Sequence, residues 1–301
     1  MSLKKLLSLG FGVILALILV ISVVASLRFY QSSHGFNTYR SLALTSVSTG
    51  RIQANILEAR LSALKYIKNP VASHASELNK RITTSIQLID EVLDAHIDDL
   101  HKNEFLAIEK QLKQYSQGFN QVVQLVNTRN NLVKENLDPS GLKMRQAVTN
   151  LMTQASAEED LEVAVSSGQL QQHVLLSRLY ASKFLTSNKI EDAQRAQKEF
   201  ASATFLVETI ESQLMSAEQI SYLADFNNAF KTYRATFSEV VNTIKERNNI
   251  VSGTLDIAGS NAAKTIEEIK LSTKSKQDSV GPSMVERFSN AQFILGALSI
   301  I

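Results

Sequence analysis

The chain lacks two residue types entirely, since none of its 301 residues is cysteine or tryptophan. Without cysteine it can form no disulfide and carry out no thiolate chemistry, a composition that is compatible with a periplasmic location. The charge is also nearly balanced, with 31 Lys and Arg against 29 Asp and Glu, and there is no basic block. We therefore expect no nucleic-acid partner.

Residues that interrupt helices are scarce. There are only three prolines and eleven glycines, and apolar residues recur at i, i+3, i+4 and i+7 along nearly the whole chain. This pattern predicts an all-α protein. Turns are expected at Asn69-Pro70, His101–Asn103, Ser166–Gly168 and Ser187-Asn188, and Ser216–Gln219 has the pattern of a capping box.

These turns divide the chain into six helices, of which two are long. The third helix (103–160) would extend about 85 Å at 1.5 Å per residue, and the sixth runs from 218 to 285. Two long helices shared by both halves predict two stacked antiparallel four-helix bundles. Asp138-Pro139 is expected to restart the third helix, because Asp favours the N-cap and Pro the first helical position.

An uncharged apolar segment, Leu6–Leu27, opens the chain. Its roughly 22 residues can span a ~30 Å hydrocarbon core. A cleaved signal peptide is the alternative, but its apolar region is usually only about 7–15 residues long. Lys4 and Lys5 before the segment predict a cytoplasmic N-terminus and a periplasmic location for the residues after it.

The chain is expected to have three parts. Residues 1–28 form the N-terminal tip and the first transmembrane helix, and residues 29–290 form the helical region beyond it. Residues 291–301 come after Arg287 and are again apolar. They are interpreted as the truncated start of a second transmembrane helix.

The sequence repeats itself without a gap at a spacing of 118 residues. Arg129–Gly141 and Arg247–Gly259 share Arg-Asn-Asn, a valine and Leu-Asp-x-x-Gly, and Arg60–Tyr66 matches Arg178–Phe184. A fixed internal period indicates a duplicated unit. Two copies suggest two equivalent sites.

Four arginines recur at matched positions of the two copies and are flanked by apolar residues at helical spacing: Arg60, Arg129, Arg178 and Arg247. Leu57, Leu61 and Leu64 would share an inward face with Arg60, and Leu175 and Leu179 would do the same with Arg178. Burying an isolated charge costs roughly several kcal/mol. Each guanidinium therefore needs a carboxylate partner, a position at the solvent-exposed rim of the bundle or an anionic ligand.

The predicted heights along the bundles group the candidate ligand-binding residues into two sets. The lower, membrane-proximal set consists of Arg60, Arg81, Arg247 and Thr254. The upper, distal set consists of Arg178, Tyr180, Tyr233, Arg145 and Thr149. The structural alternative is that the arginines pair with Asp138, Asp256 or a nearby glutamate or extend outward to solvent, and that the tyrosines belong to the core.

Catalytic motifs are missing from the sequence. It has no Glu-x-x-His pair, phosphate loop or nucleophile motif. His96 and His101 are five residues apart, so they cannot share one face of a helix around a metal. We expect no enzyme activity, no metal and no cofactor.

Several segments resemble bacterial methyl-accepting chemotaxis receptors with a helical bimodular sensor domain. They are Leu9–Val13 after the two lysines, the paired Arg-Asn-Asn blocks and Leu271–Pro282. The resemblance implies an inner-membrane homodimer whose periplasmic sensor, residues 29–290, has a pocket in each bundle. It also implies that Arg60, Arg178 and Arg247 contact the carboxylates of small organic acids.

In such a receptor, ligand binding shifts one helix against another, and the second span passes the shift to a cytoplasmic signalling region that this chain lacks. Two alternatives stay open. One is the input domain of a sensor histidine kinase that docks a periplasmic binding protein. The other is a helical spacer without a ligand, which predicts that all four arginines are ion-paired.

Overall fold

The computed structural model describes residues 2–94, 99–214 and 216–300, and nearly all of them are helical. The predicted all-α class is therefore confirmed. The helices are α1 (Leu3–Lys68), α2 (Ala72–Asp94), α3 (Lys102–Asn131), α4 (Asp138–Ala157), α5 (Leu161–Ser187), α6 (Ile190–Glu211), α7 (Ala217–Ile250) and α8 (Asp256–Ile300). A 3-10 turn at Asp99–His101 precedes α3, and π-helical segments at Leu132–Leu137 and Val251–Leu255 precede α4 and α8.

The helices form two compact units. The first comprises Met1–Gln117 and Leu255–Ile301, of which Met1, residues 95–98 and Ile301 lie outside the described residues. In it α1 packs against both α2 and α8. The beginning of α3 contributes the fully buried side chains of Phe105, Ile108 and Leu112.

The second unit, Gly118–Thr254, is a closed four-helix bundle. In it α4 packs against α5 and α7, and α6 packs against α5 and α7. Only a few residues connect α4 to α5, α5 to α6 and α6 to α7, and such short connections make successive helices antiparallel neighbours. The core includes the large aromatic side chains of Phe184, Phe226 and Phe237.

Local capping explains where several helices end. Asn188 ends α5 with a left-handed φ of 55°, a conformation that Asn tolerates better than most residues. The side chain of Ser216 caps α7 by accepting a hydrogen bond from the Gln219 N–H. The turn predicted at Ser166–Gly168 is wrong. That segment lies inside α5, and the turn falls at 158–160, where Asp160 caps α5 by accepting from the Val163 N–H.

The predicted restart at Asp138-Pro139 is correct in part: α4 begins at Asp138 with Pro139 in its first turn, but Asp138 is not its N-cap. Asp138 has helical φ and ψ angles of −64° and −47°, so the helix continues through it from the π-helical segment Leu132–Leu137. A π-helical segment also precedes Asp256 in the second copy, although Ile257 replaces the proline there. Proline therefore does not cause the π-helical geometry. The geometry accompanies the Leu-Asp-x-x-Gly block that the copies share.

The leucines expected on the inward face of α1 point outward. Leu57, Leu61 and Leu64 are 49, 50 and 60% exposed, and Leu175 and Leu179 on α5 are each 48% exposed. The buried face of α1 is formed instead by Ile52, Ile56, Ala59 and Ala63. The helix is apolar on two sides here, and its small alanines let the neighbouring helices approach closely.

The apolar start of α1 is exposed along its length. Of the described helices, α1 alone is long and apolar enough to cross a membrane, with a mean hydropathy of 2.9 over its most apolar 18 residues. At the other end α8 continues through Pro282 to Ile300 without a break.

Candidate ligand-binding sites

In the second unit an arginine and a tyrosine side chain pack against the backbone of a glycine. Tyr233 on α7 is only 4% exposed, and Arg178 on α5 is partly buried. A Cβ atom on Gly141 of α4 would lie 2.9 Å from Cε2 of Tyr233 and 3.1 Å from Nε of Arg178. Only glycine lets both side chains approach the helix backbone this closely.

The first unit contains the same arrangement. Arg60 lies on α1, Tyr115 on α3 is 4% exposed, and Gly259 lies on α8. A Cβ atom on Gly259 would lie 2.8 Å from Cε2 of Tyr115 and 3.2 Å from Cδ of Arg60. Each unit therefore has one Arg–Tyr–Gly set with the same packing.

The two sets exchange residues between the sequence copies. Arg60 and Tyr115 of the first copy meet Gly259 of the second, whereas Arg178 and Tyr233 of the second copy meet Gly141 of the first. The equivalent residues are 118 positions apart in every case. Neither copy can therefore complete an Arg–Tyr–Gly set with its own residues.

Burial keeps both phenols protonated. It raises the pKa of Tyr115 to about 12, against a smaller lowering by the Arg60 charge, while Asp256 adds to the rise. Burial likewise raises the pKa of Tyr233, with Arg178 opposing and Asp138 adding to the effect. Among the described residues neither phenol oxygen has a hydrogen-bond partner. Each site therefore has a neutral O–H donor beside a guanidinium.

The four repeated arginines have no ion-pair partner among the described residues. Within the described part of the chain, no carboxylate oxygen lies within 4.0 Å of a guanidinium nitrogen of Arg60, Arg129, Arg178 or Arg247. All four side chains are partly buried. The ion pairs with Asp138 or Asp256, one form of the structural alternative, are therefore not formed among the described residues, and the spacer hypothesis loses its prediction.

The structure divides the predicted lower set between the two units. Arg60 and Arg81 belong to the first unit, whereas Arg247 and Thr254 belong to the second. Arg81 is already engaged, because its guanidinium lies 2.6 Å from carboxylate oxygens of both Glu58 and Glu77. Only Arg60 of this set takes part in the Arg–Tyr–Gly arrangement.

The predicted upper set is brought together only in part. Arg178 and Tyr233 meet over Gly141. Tyr180 is two residues from Arg178 and thus about 200° around the helix. Its ring lies instead beneath the guanidinium of Arg195, 5.3 Å from the ring centroid.

Arg145 and Thr149 lie one turn apart on α4. The Thr149 hydroxyl donates to the Arg145 carbonyl oxygen at 2.9 Å and accepts from the Gln171 amide at 2.8 Å. The predicted roles of these residues as ligand contacts stay predictions.

A buried carboxylate in the second unit was not anticipated. Glu199 on α6 is 3% exposed. Its Oε2 is 2.6 Å from Nδ1 of His173, and its Oε1 is 2.7 Å from a guanidinium nitrogen of Arg195. No repeat or motif marked this residue. Arg195 lies one turn away on the same helix, but His173 lies on α5 and meets Glu199 only in the fold.

No metal centre is found in the part of the chain that the structure describes, where no group of three or more His, Asp and Glu residues could hold an ion. His96 lies outside the described residues. An open groove of about 1220 Å³ does lie between α1 and α8, beside the apolar segment. Its charged lining residues are Arg28 and Arg287, and it includes no member of the Arg–Tyr–Gly sets.

Comparison with known families agrees with this architecture. A family model described as a four helix bundle sensory module for signal transduction matches residues 1–162, more than half of the chain. The chain belongs to this family of chemotaxis-receptor sensory modules. The resemblance to chemotaxis receptors is thus confirmed, while the helical bimodular subtype stays a prediction. No curated protein sequence matches the sensory module.

Proposed function

We propose that this sensory module is the periplasmic ligand-sensing region of a bacterial chemoreceptor, and that the Arg–Tyr–Gly sets bind small organic acids. One observation carries the proposal: each unit holds a partly buried arginine beside a buried tyrosine and has no carboxylate within 4.0 Å of the guanidinium in the described part of the chain. A carboxylate ligand would neutralise that charge.

The chemistry of each set suits a small carboxylate. A guanidinium can donate two parallel hydrogen bonds to one carboxylate, and the neutral phenol can donate a third. Each charge-assisted bond contributes about 1.5–3 kcal/mol. Two or three such bonds are enough for micromolar binding, which corresponds to about −8 kcal/mol.

Ligand entry would require the side chains to move. Arg60 and Tyr115 pack directly onto Gly259, so a carboxylate must separate the arginine on α1 from the backbone of α8. We expect α1 and α8 to shift by about 1–2 Å, the amplitude typical of helix shifts in signalling proteins. Both helices lead to the apolar ends of the chain, so they would transmit the shift to the membrane.

The proposal places the chain in the inner membrane, with its N-terminus in the cytoplasm and residues 29–290 in the periplasm. It includes a homodimer along α1. The exposed row of Leu57, Leu61 and Leu64 supports this arrangement, since it recurs at helical spacing on one side. No enzyme activity, cofactor or nucleic-acid partner is part of the proposal.

The test is calorimetric binding of acetate, succinate and malate to the full chain in lipid nanodiscs. Arg60→Gln should abolish acid binding at the site of the first unit, and Arg178→Gln should abolish it at the site of the second unit. Each variant removes the cation of its Arg–Tyr–Gly set. Arg234→Gln is the matched control, since it also neutralises an arginine in a bundle helix, but one that lies outside both predicted ligand-binding sets. We expect the control to bind as the parent does.

Unchanged affinities in both variants would refute the assignment of these sites. If no small acid binds but a periplasmic binding protein does, the sensor-kinase alternative replaces the proposal.

A further inference from the structure

The open groove between α1 and α8 is separate from the Arg–Tyr–Gly sets. Its lining residues lie between positions 25 and 38 of α1 and between positions 279 and 292 of α8, and its volume is about 1220 Å³. Small-molecule sites usually measure about 300–1,000 Å³. The α1–α8 groove is therefore large enough for a ligand bigger than a small acid.

Close contacts at two glycines define how the helices of the groove lie side by side. A Cβ atom on Gly35 of α1 would lie 3.2 Å from Cγ of Met284 on α8. A Cβ atom on Gly281 of α8 would lie 3.6 Å from Cε2 of Tyr39 on α1. Because residue numbers rise along α1 as they fall along α8, the two helices are antiparallel here.

This register brings two arginines to nearly the same height. Arg28 precedes Gly35 by two turns of α1, which places it level with Ala291 on α8. Arg287 lies one turn before Ala291 on that helix. At 1.5 Å per residue the two arginines are separated by roughly 6 Å along the helix axes. Two long arginine side chains can cover that distance and meet on one ligand.

The groove carries charge of one sign. Arg28 is partly buried and Arg287 is exposed, and both line the groove. Among the described residues, no Asp or Glu lines it. In the same part of the chain, no carboxylate oxygen lies within 4.0 Å of a guanidinium nitrogen of either arginine. An anionic ligand would therefore complement the groove.

Both arginines lie where an apolar segment ends. Arg28 directly follows the uncharged segment Leu6–Leu27, and residues 291–301 turn apolar again after Arg287. The next step rests on the membrane location in the proposed function. In that location both guanidiniums lie at the edge of the hydrocarbon core, which is the level of the lipid phosphates.

The rest of the groove surface suits a lipid. Aromatic side chains prefer the headgroup level of a membrane because their rings are apolar and polarisable. Three exposed aromatic side chains line the groove beside the arginines: Phe29, Tyr30 and Phe288. The apolar ends of α1 and α8 continue from the groove and offer a surface for acyl chains.

We propose that the α1–α8 groove binds an anionic phospholipid whose phosphate contacts Arg28 and Arg287. A guanidinium can donate two parallel hydrogen bonds to a phosphate. Two guanidiniums also repel the cationic headgroup of a zwitterionic lipid, so a lipid with net negative charge is preferred. Because the arginines lie on different helices, the headgroup joins α1 to α8, the two helices whose shift would carry the signal.

The experiment places the full chain in nanodiscs that contain equal amounts of phosphatidylglycerol and phosphatidylcholine. Native mass spectrometry then measures which lipids stay bound after the disc is removed. We expect the parent to retain phosphatidylglycerol in preference to phosphatidylcholine. Arg28→Gln and Arg287→Gln should each reduce the retained phosphatidylglycerol at least about tenfold, since each removes charge-assisted hydrogen bonds.

Two control variants remove cations outside the groove. Lys5→Gln neutralises a charge at the opposite end of the apolar segment, and Arg40→Gln neutralises an exposed arginine farther along α1. Neither residue lines the groove, so both variants should retain phosphatidylglycerol as the parent does. A loss in Lys5→Gln equal to that in Arg28→Gln would indicate general attraction between cations and anionic lipids, and would overturn the inference.

Other occupants of the groove give different results. If glycerol phosphate displaces phosphatidylglycerol at equal concentration, the groove is a site for soluble phosphates and the inference is overturned. A dimer that retains no phosphatidylglycerol would show that a second copy covers the groove, with the same consequence.

The proposed acid sites can be tested in the same nanodiscs. A chain that binds small acids but has no preference for phosphatidylglycerol contradicts only the lipid site. A chain that prefers phosphatidylglycerol but binds no acid contradicts only the acid sites. A chain that does not enter the nanodiscs contradicts the membrane location and, with it, the lipid site.

Discussion

The two Arg–Tyr–Gly sets use the same residues in different surroundings. Tyr233 packs edge-to-face on Phe200, with ring centroids 5.8 Å apart, and Phe200 also contacts Phe230 and Phe237. For Tyr115 no ring contact is found among the described residues. Each set has an arginine guanidinium beside a tyrosine hydroxyl, so we expect the same class of ligand in both units. The different packing predicts that the Tyr115 site is the more easily deformed.

The largest expected effect concerns alkaline stability. Tyr115 has a folded pKa of about 12, above the unfolded value of about 10. Its contribution is complete below pH 10 and is lost as the pH rises from 10 to 12, because only the unfolded chain releases the proton there. A shift of two units corresponds to about 3 kcal/mol. Between pH 10 and 12 the unfolding free energy of the parent should therefore fall by about 3 kcal/mol more than that of Tyr115→Phe. Urea unfolding at both pH values measures the difference.

Tyr233→Phe should show the same protection, since burial also raises the pKa of Tyr233. Tyr30→Phe is the control, because that ring is 70% exposed. If all three variants follow the parent curve, burial does not raise the pKa of either phenol, and the description of the two sets as buried tyrosines fails.

A smaller effect is expected from Glu199, the one buried carboxylate among the residues that the structure describes. Glu199→Gln weakens the charged hydrogen bonds to His173 and Arg195 and should cost about 2 kcal/mol of unfolding free energy. In the first unit Glu267 pairs with Lys270 at 3.3 Å, but its side chain is 39% exposed. Glu267→Gln should cost less than about 1 kcal/mol. Equal losses in thermal unfolding would remove this difference between the units.

The smallest effect should come from the glycines. Overpacking lowers the free energy of unfolding by about 1–3 kcal/mol, while replacing a helical glycine with alanine raises it by up to about 1 kcal/mol. We therefore expect Gly141→Ala and Gly259→Ala to destabilise by about 1 kcal/mol and to weaken acid binding. Gly141→Ala should cost more, because the Phe200 contact restrains the Tyr233 ring. Calorimetric unfolding of both variants measures the difference.

Gly50→Ala provides the matched control. A Cβ atom on Gly50 meets nothing within 4 Å, so this variant should be more stable than the parent. A loss of stability at Gly50 equal to that at Gly141 would show that helix geometry, and not the tyrosine contact, causes the effect.

Much of the helical framework could be predicted, because its signals are local. Asn69-Pro70 and Ser187-Asn188 mark ends of α1 and α5 as expected. The segment Ser166–Gly168 has the composition of a turn but continues α5, since burial of Ser167 and Leu170 in the bundle outweighs their local preference. The π-helical segments carried no recognisable signal before the structure was known.

The candidate sites were only partly predictable. Arg60 and Arg178 were identified from their matched positions in the repeat, and Tyr233 from its predicted height along the bundle. Tyr115 was missed although the repeat pairs it with Tyr233, and Gly141 and Gly259 were noted only as ends of the repeated blocks. Their role depends on a side chain of another helix lying against the backbone, and no spacing within one helix reveals that.

The sequence by itself determined that the chain is helical, that it is duplicated at a spacing of 118 residues, and that arginines recur at matched positions of the two copies. The helical periodicity is contained in each single segment, and the duplication is visible when two segments are compared without the fold. Only the tertiary structure decided that each arginine meets the glycine of the other copy, and that Leu57 faces outward while Ala59 is buried. Where a helix is apolar on two sides, the face that becomes buried is set by the neighbouring helices, and their arrangement is a property of the whole fold.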